Sequence, residues 1–177
     1  LGEPIELPVS GRDLMLAEET GARLHIRQAT TAAAFDLIRA AKRRGVRVTC
    51  GITPAHLHLS DIAMSDFRTY AHVSPPLRSE RDRQAARAAI ADGTIDVLCS
   101  GHDPHGPEAK RLPFVDSAAG MAGAETLLPL GLMLVRNGLL PLERLLAMLS
   151  VNPARVLGLE TGTLAAGQPA DLMLFDP

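Results

Sequence analysis

The chain has 177 residues, of which 46% are hydrophobic and 21% charged, and a formal net charge of −2. That length can bury a single-domain core, and the near-neutral balance excludes electrostatic binding to nucleic acid or to a membrane surface. Aromatic residues are only 3% and Trp is absent, so Leu, Ala and Val must build the interior. The Leu-rich segment from Leu127 to Val135 is too short to cross a bilayer. No signal peptide is evident, and the two cysteines, Cys50 and Cys99, read as small buried thiols of a cytosolic protein.

In chain order, Gly11 to Thr20 reads as a helix stopped by Gly21. Arg23 to Arg27 is a short strand with Leu24 and Ile26 alternating. Thr30 or Thr31 caps a helix over Ala32 to Arg44, with Phe35, Ile38 and Ala41 as its inner stripe and Gly45 as its end. Val46 to Cys50 is the next strand. Thr53-Pro54 then opens a loop holding His56 and His58, and a second loop, Phe67 to Arg78, holds His72 and Pro75-Pro76. Ser79 caps a helix through Ala91, with Glu80 and Asp82 where the dipole favours them. Arg78 and this helix read as a solvated or interface face rather than a substrate clamp.

Ile95-Asp96-Val97-Leu98-Cys99 is a short, mostly apolar run followed by Ser100-Gly101-His102-Asp103-Pro104-His105. That reads as a buried parallel strand ending at a polar rim, where ligands of α/β proteins sit. A very apolar helix follows from Gly123 to Gly138, with Pro129 early in it, and another from Pro141 to Leu149. Asn152 begins a last helical turn, Gly167-Gln168-Pro169 is a turn, and Leu172 to Phe175 is a strand. Strands alternating with helices indicate parallel βα units. Three are too few to close a barrel, so the pattern alone gives a piece of a (β/α) barrel or a small open sheet. Unpaired strand edges on either would invite self-association.

Several stretches together resemble the carboxyl-terminal part of a dihydroorotase of the amidohydrolase superfamily. They are Leu24-His25-Ile26-Arg27-Gln28-Ala29-Thr30-Thr31, Val48-Thr49-Cys50-Gly51-Ile52-Thr53-Pro54-Ala55-His56-Leu57 and Pro75-Pro76-Leu77-Arg78. Further on come Gly101-His102-Asp103-Pro104-His105, Gly123-Ala124-Glu125-Thr126, Asn152-Pro153-Ala154-Arg155 and Gly162 to Leu172, all in the family's order. The resemblance implies an α/β fold, the last three βα units of a (β/α)8 barrel over residues 1–160. Residues 161–177 would start a small flanking β-domain. It also implies the family's reaction, the interconversion of dihydroorotate and carbamoyl aspartate in pyrimidine synthesis, with zinc supplying hydroxide and polarising the amide.

The sequence departs from that pattern where the chemistry sits. The family's sixth-strand metal histidine falls on Gln28, and its eighth-strand aspartate, which binds metal and shuttles the proton, falls on Gly101. An amide is a poor zinc ligand beside imidazole, and glycine offers none. The family's substrate-side Asn is Ser74, while its substrate-contacting His survives as His105. No catalytic residue and no cofactor are therefore expected in this chain.

The first expectation is a chain that does not perform the reaction alone. Inactive dihydroorotase-like chains accompany aspartate transcarbamoylase, which would then be the partner. The alternative is a relocated metal site built on Asp103 and His102. His56 and His58 would join it if their His-x-His segment were extended, which puts both rings on one face. The plainer reading makes His25, His56 and His102 hydrogen-bonded remnants and leaves His58 and His72 exposed on loops. Asp103 is then a cap or turn residue.

Overall fold

A computed structural model describes residues 3–176. Its elements are α1 (Glu3–Thr20), β1 (Leu24–Ile26), α2 (Ala32–Arg43), β2 (Val48–Ile52), α3 (Pro54–His58), α4 (Glu80–Asp92) and β3 (Val97–Leu98). They continue with α5 (Pro107–Lys110), α6 (Leu127–Arg136), α7 (Leu142–Leu149) and α8 (Val151–Leu157). Two 3₁₀ turns, Asp61–Met64 and Thr69–Ala71, lie between α3 and α4.

The strands form one parallel sheet in the order β1-β2-β3. Leu24 faces Val48, Ile26 faces Cys50, and Ile52 faces Leu98. Because side chains alternate along a strand, Val48, Cys50 and Ile52 all enter the core. There they meet Phe35 and Ile38 of α2, Ala86 and Ile90 of α4, Leu134 of α6 and Leu145 of α7. His25 and Thr49 point the other way and bond across the strands, Nδ1 to Oγ1, at 2.8 Å.

The register of β3 is set by Asp96. Its carboxylate accepts from Lys42 Nζ on α2, at 2.8 and 2.7 Å, and from the Cys50 amide of β2 at 2.8 Å. Its own amide donates to Cys50 O, and its carbonyl accepts from Asn152 Nδ2 on α8. One residue thus joins two strands and two helices.

Several expected boundaries move, each for a physical reason. The first helix starts at Glu3 rather than Gly11, because Glu6 is anchored at the head of α2. Its carboxylate accepts from the Thr30 and Thr31 amides at 2.7 and 3.1 Å and from Arg78 Nη2 at 2.9 Å. Arg78 is therefore not on a solvated face: it is 8% exposed. A carboxylate on a helix N-terminus meets the free amides and the positive end of the dipole.

The loop expected after Thr53 is instead α3, because Thr53 caps it and Pro54 fixes its first residue. The apolar helix begins at Leu127 rather than Gly123, because the Gly123 and Ala124 amides are taken by His102 Nδ1. The strand expected over Leu172 to Phe175 is not formed. Among the described residues no neighbouring strand pairs with it, and Leu174 is fully exposed.

Replacing Asp96 by Ala leaves the Cys50 amide without its acceptor and Lys42 without its carboxylate. The loss of stability should be about 2–3 kcal/mol, read as a lower urea midpoint. Asp96→Asn should recover part of it, since an amide oxygen still accepts from Cys50.

Candidate active site

The carboxyl ends of the three strands converge on one rim. Gln28 follows β1, Thr53 and His56 follow β2, and Gly101 and Asp103 follow β3. With Ser74 they line a cavity of about 40 Å³, little more than the space one or two waters occupy. The structure therefore brings together Gln28, Gly101, Ser74, Asp103 and His56 from the sequence reading. His58, His72, His102 and His105 are not among the residues that line it.

Two close approaches narrow this rim. A Cβ on Gly51 would stand 2.7 Å from the Arg27 carbonyl oxygen, so glycine is what lets the end of β1 run so near β2. A Cβ on Gly101 would stand 2.7 Å from Thr53 Cγ2, and Gly101 adopts φ +59°. The amide of Gln28 fills the space between, with Nε2 3.6 Å from that same Cβ position. Its Oε1 is buried and has no donor, which an amide tolerates at a cost and a metal-ligating imidazole would not need to bear. Cys99 lies beside it. Burial pushes its thiol pKa up, opposed by the Gln28 side chain and nearby backbone donors.

The histidines are occupied by the protein itself. On α3, His56 Nδ1 pairs with Thr53 Oγ1 at 2.7 Å and Nε2 donates to Pro75 O at 3.0 Å. His58 sits two residues on, and since the segment is helical rather than extended the two rings diverge. Nε2 of His58 reaches Leu130 O at 3.2 Å, and the ring is half-buried, not loop-exposed. His72 is half-buried too, stacked on Phe114 with ring centroids 4.6 Å apart and Nδ1 on Ser117 Oγ.

His102 Nδ1 accepts two backbone amides, both at 3.1 Å, and so carries its proton on Nε2. His105 Nε2 donates to Ala119 O at 3.0 Å and lies 3.6 Å from the Asp103 carboxylate. That carboxylate caps nothing and stands largely in solvent.

These residues do not fit the zinc that such a rim would hold in the resembled family. Position 28 offers an amide, position 101 offers no side chain, and both ring nitrogens of His56 are already bonded. Among the described residues no three His, Cys, Asp or Glu side chains are grouped to hold a metal ion. Thr53 and Gly51 are parts of the rim that the sequence reading passed over. In the sequence Thr53 reads only as the opening of a loop, and the need for glycine at 51 comes from a neighbouring strand.

The amidohydrolase family profile matches residues 12–177. A dihydroorotase-like protein of Pseudomonas aeruginosa is 45% identical over 99% of this chain and 41% of its own length. The chain thus spans about two fifths of the curated relatives it matches. Among solved structures, the L-hydantoinase of Arthrobacter aurescens superposes with a TM-score of 0.84 at 31% identity, over 91% of this chain and 37% of that one. The inactive dihydroorotase-like domain of a Chaetomium thermophilum CAD-like multifunctional protein superposes with a TM-score of 0.66 at 27% identity. It covers 84% of this chain and 41% of that one.

The buried and half-buried histidines give the fold an acid limit. Burial lowers the pKa of His25, His56 and His58 from the usual 6.5. The unfolded chain then takes up the protons first as pH falls. Their contribution to stability is present above about pH 6.5 and is lost as pH drops through 6.5 towards the folded values. The denaturation midpoint should fall between pH 7.5 and 5.5, and His56→Gln should flatten that slope.

Proposed function

The chain belongs to the amidohydrolase family, and on that premise we propose that it is part of a dihydroorotase-like protein that no longer turns substrate over at this rim. The observation that carries the reading is the pair Gln28 and Gly101, which sits at the ends of β1 and β3 with no metal-binding side chain and closes on itself. In this reading residues 1–160 are the last three βα units of a (β/α)8 barrel. Residues 161–177 begin a flanking β segment that needs strands from elsewhere to pair with. The setting is cytosolic, which the two free thiols support.

The role left to such a protein is assembly. The family reaction belongs to pyrimidine synthesis, and the partner we favour is aspartate transcarbamoylase. The likeness to an inactive dihydroorotase-like domain within a multifunctional protein supports this reading. His105 keeps its place beside Asp103 on the rim, and in this reading it meets a substrate-like anion without acting on it. The rival reading, a relocated centre on Asp103 and His102, has only Asp103's free carboxylate in its favour. The ring of His102 is turned to the backbone.

The intact protein should hydrolyse dihydroorotate no faster than an enzyme-free control. Loss of acid–base help alone removes about 10²–10⁴-fold, and a missing metal removes the nucleophile as well. On gel filtration it should co-elute with aspartate transcarbamoylase. Turnover with tightly held zinc, abolished by Asp103→Ala, would replace this reading with the relocated centre.

A further inference from the structure

Lys110 ends the one-turn helix α5 and is 3% exposed. Among the described residues no carboxylate is in salt-bridge range of it. Its ammonium faces four backbone carbonyls instead: Gly120 O at 2.6 Å, Ala118 O at 2.8 Å, Thr69 O at 3.2 Å and His72 O at 3.4 Å. Three N–H donors thus serve four acceptors, and carbonyl oxygens gathered on one cation resemble the cages that hold monovalent ions.

Two of those carbonyls belong to the Thr69–His72 segment and two to the rim loop that follows β3. The same two segments are tied by Gly120 N to His72 O at 2.9 Å and by Thr69 Oγ1 to Lys110 O. Between them lies a cavity of about 290 Å³ lined by Tyr70, Pro104, His105, Gly120 and Met121, with Lys110 in its wall. Neither segment contributes to the main sheet. Their own apolar cluster is small, Ala71, Val73 and Leu77 with Met121 beside them. The loop's order therefore has to come from polar contacts, and Lys110 makes the most of them.

We propose that Lys110 is the positioning residue of this rim: its ammonium clamps the loop carrying Asp103, His105 and Met121 onto the Thr69–His72 segment and so shapes the cavity between them. This goes beyond the proposed function and holds whether or not the rim turns substrate over.

Amide exchange in the intact protein tests it. The Asp103 and Gly120 amides donate to Met121 O and His72 O, whereas Asp96 and Cys99 donate into the sheet. Lys110→Met keeps the length and removes the charge. It should speed exchange at Asp103 and Gly120 by roughly tenfold or more, the size of one or two lost charge-assisted bonds, and leave Asp96 and Cys99 unchanged. Lys110→Ala should behave alike. Added ammonium chloride should slow its rim exchange again, where tetramethylammonium chloride at equal concentration does not.

Unchanged rim exchange in Lys110→Met overturns the proposal. Equal acceleration of rim and sheet also overturns it, making Lys110 a general stability residue. If Lys110→Ala is not slowed by ammonium, the effect belongs to lost volume and the clamp by charge is wrong. Turnover assays do not bear on any of these readings, so failure here leaves the proposed function standing.

Discussion

The fold depends on where β3 is pinned, and Asp96 pins it. A two-residue strand has too few ladder bonds to fix its own register, and a slip by one residue would turn every side chain to the other face. The half-buried carboxylate settles the matter by pairing with Lys42 and with the Cys50 amide at once. Lys42 reaches in from α2 with its aliphatic stem along the helix–sheet boundary, also meeting Thr94 O. Everything downstream on the rim, from Cys99 to His105, takes its position from that anchor. The same residue crowds Cys50, whose thiol is pushed up to about 12 by burial, with the Asp96 charge adding to it.

The rim above this anchor is ordered by the protein's own groups. Histidines that could have faced a ligand instead bond to Thr53, Pro75, Leu130, Ala119 and the amides of Gly123 and Ala124. Each such bond satisfies a polar group that would otherwise be stranded. The result is a surface shaped by the protein's own hydrogen bonds, on which the Asp103 carboxylate stands largely in solvent. A scaffold role asks for that kind of stiffness, while catalysis by this family would ask for open coordination positions.

Much of the architecture was legible in the sequence because it is local. The stripe Phe35, Ile38, Ala41, the cap at Thr31 and the stop at Gly45 carry their meaning within a few residues. So do Ser79 and the acidic first turn of α4. What was not legible is non-local. Arg78 reads as a surface arginine until Glu6, 72 positions away, is brought to it. His102 reads as a rim ligand until the amides of Gly123 and Ala124 claim its ring. The His56 and His58 pair reads as a chelate until Thr53 and Pro54 curl the segment into a turn of helix. The replaced positions Gln28 and Gly101 were visible only because a family pattern supplied the expected residues. The closeness of Gly51 to the Arg27 carbonyl has no signature in the one-dimensional string.

If Gln28 and Gly101 stand where the resembled family places its metal ligands, the two differ in how easily a ligand could be restored. Gln28 already carries a long polar side chain into the rim, so an imbalance there is one substitution deep. Gly101 is different, because its backbone is left-handed and the Thr53 methyl stands 2.7 Å from where a first side-chain carbon would go. A lineage that passed through glycine here would find the way back uphill, since a new side chain must meet both the left-handed φ and the Thr53 methyl. Drift away from chemistry at this rim would then behave as a ratchet, with selection free to act on what the surface touches instead.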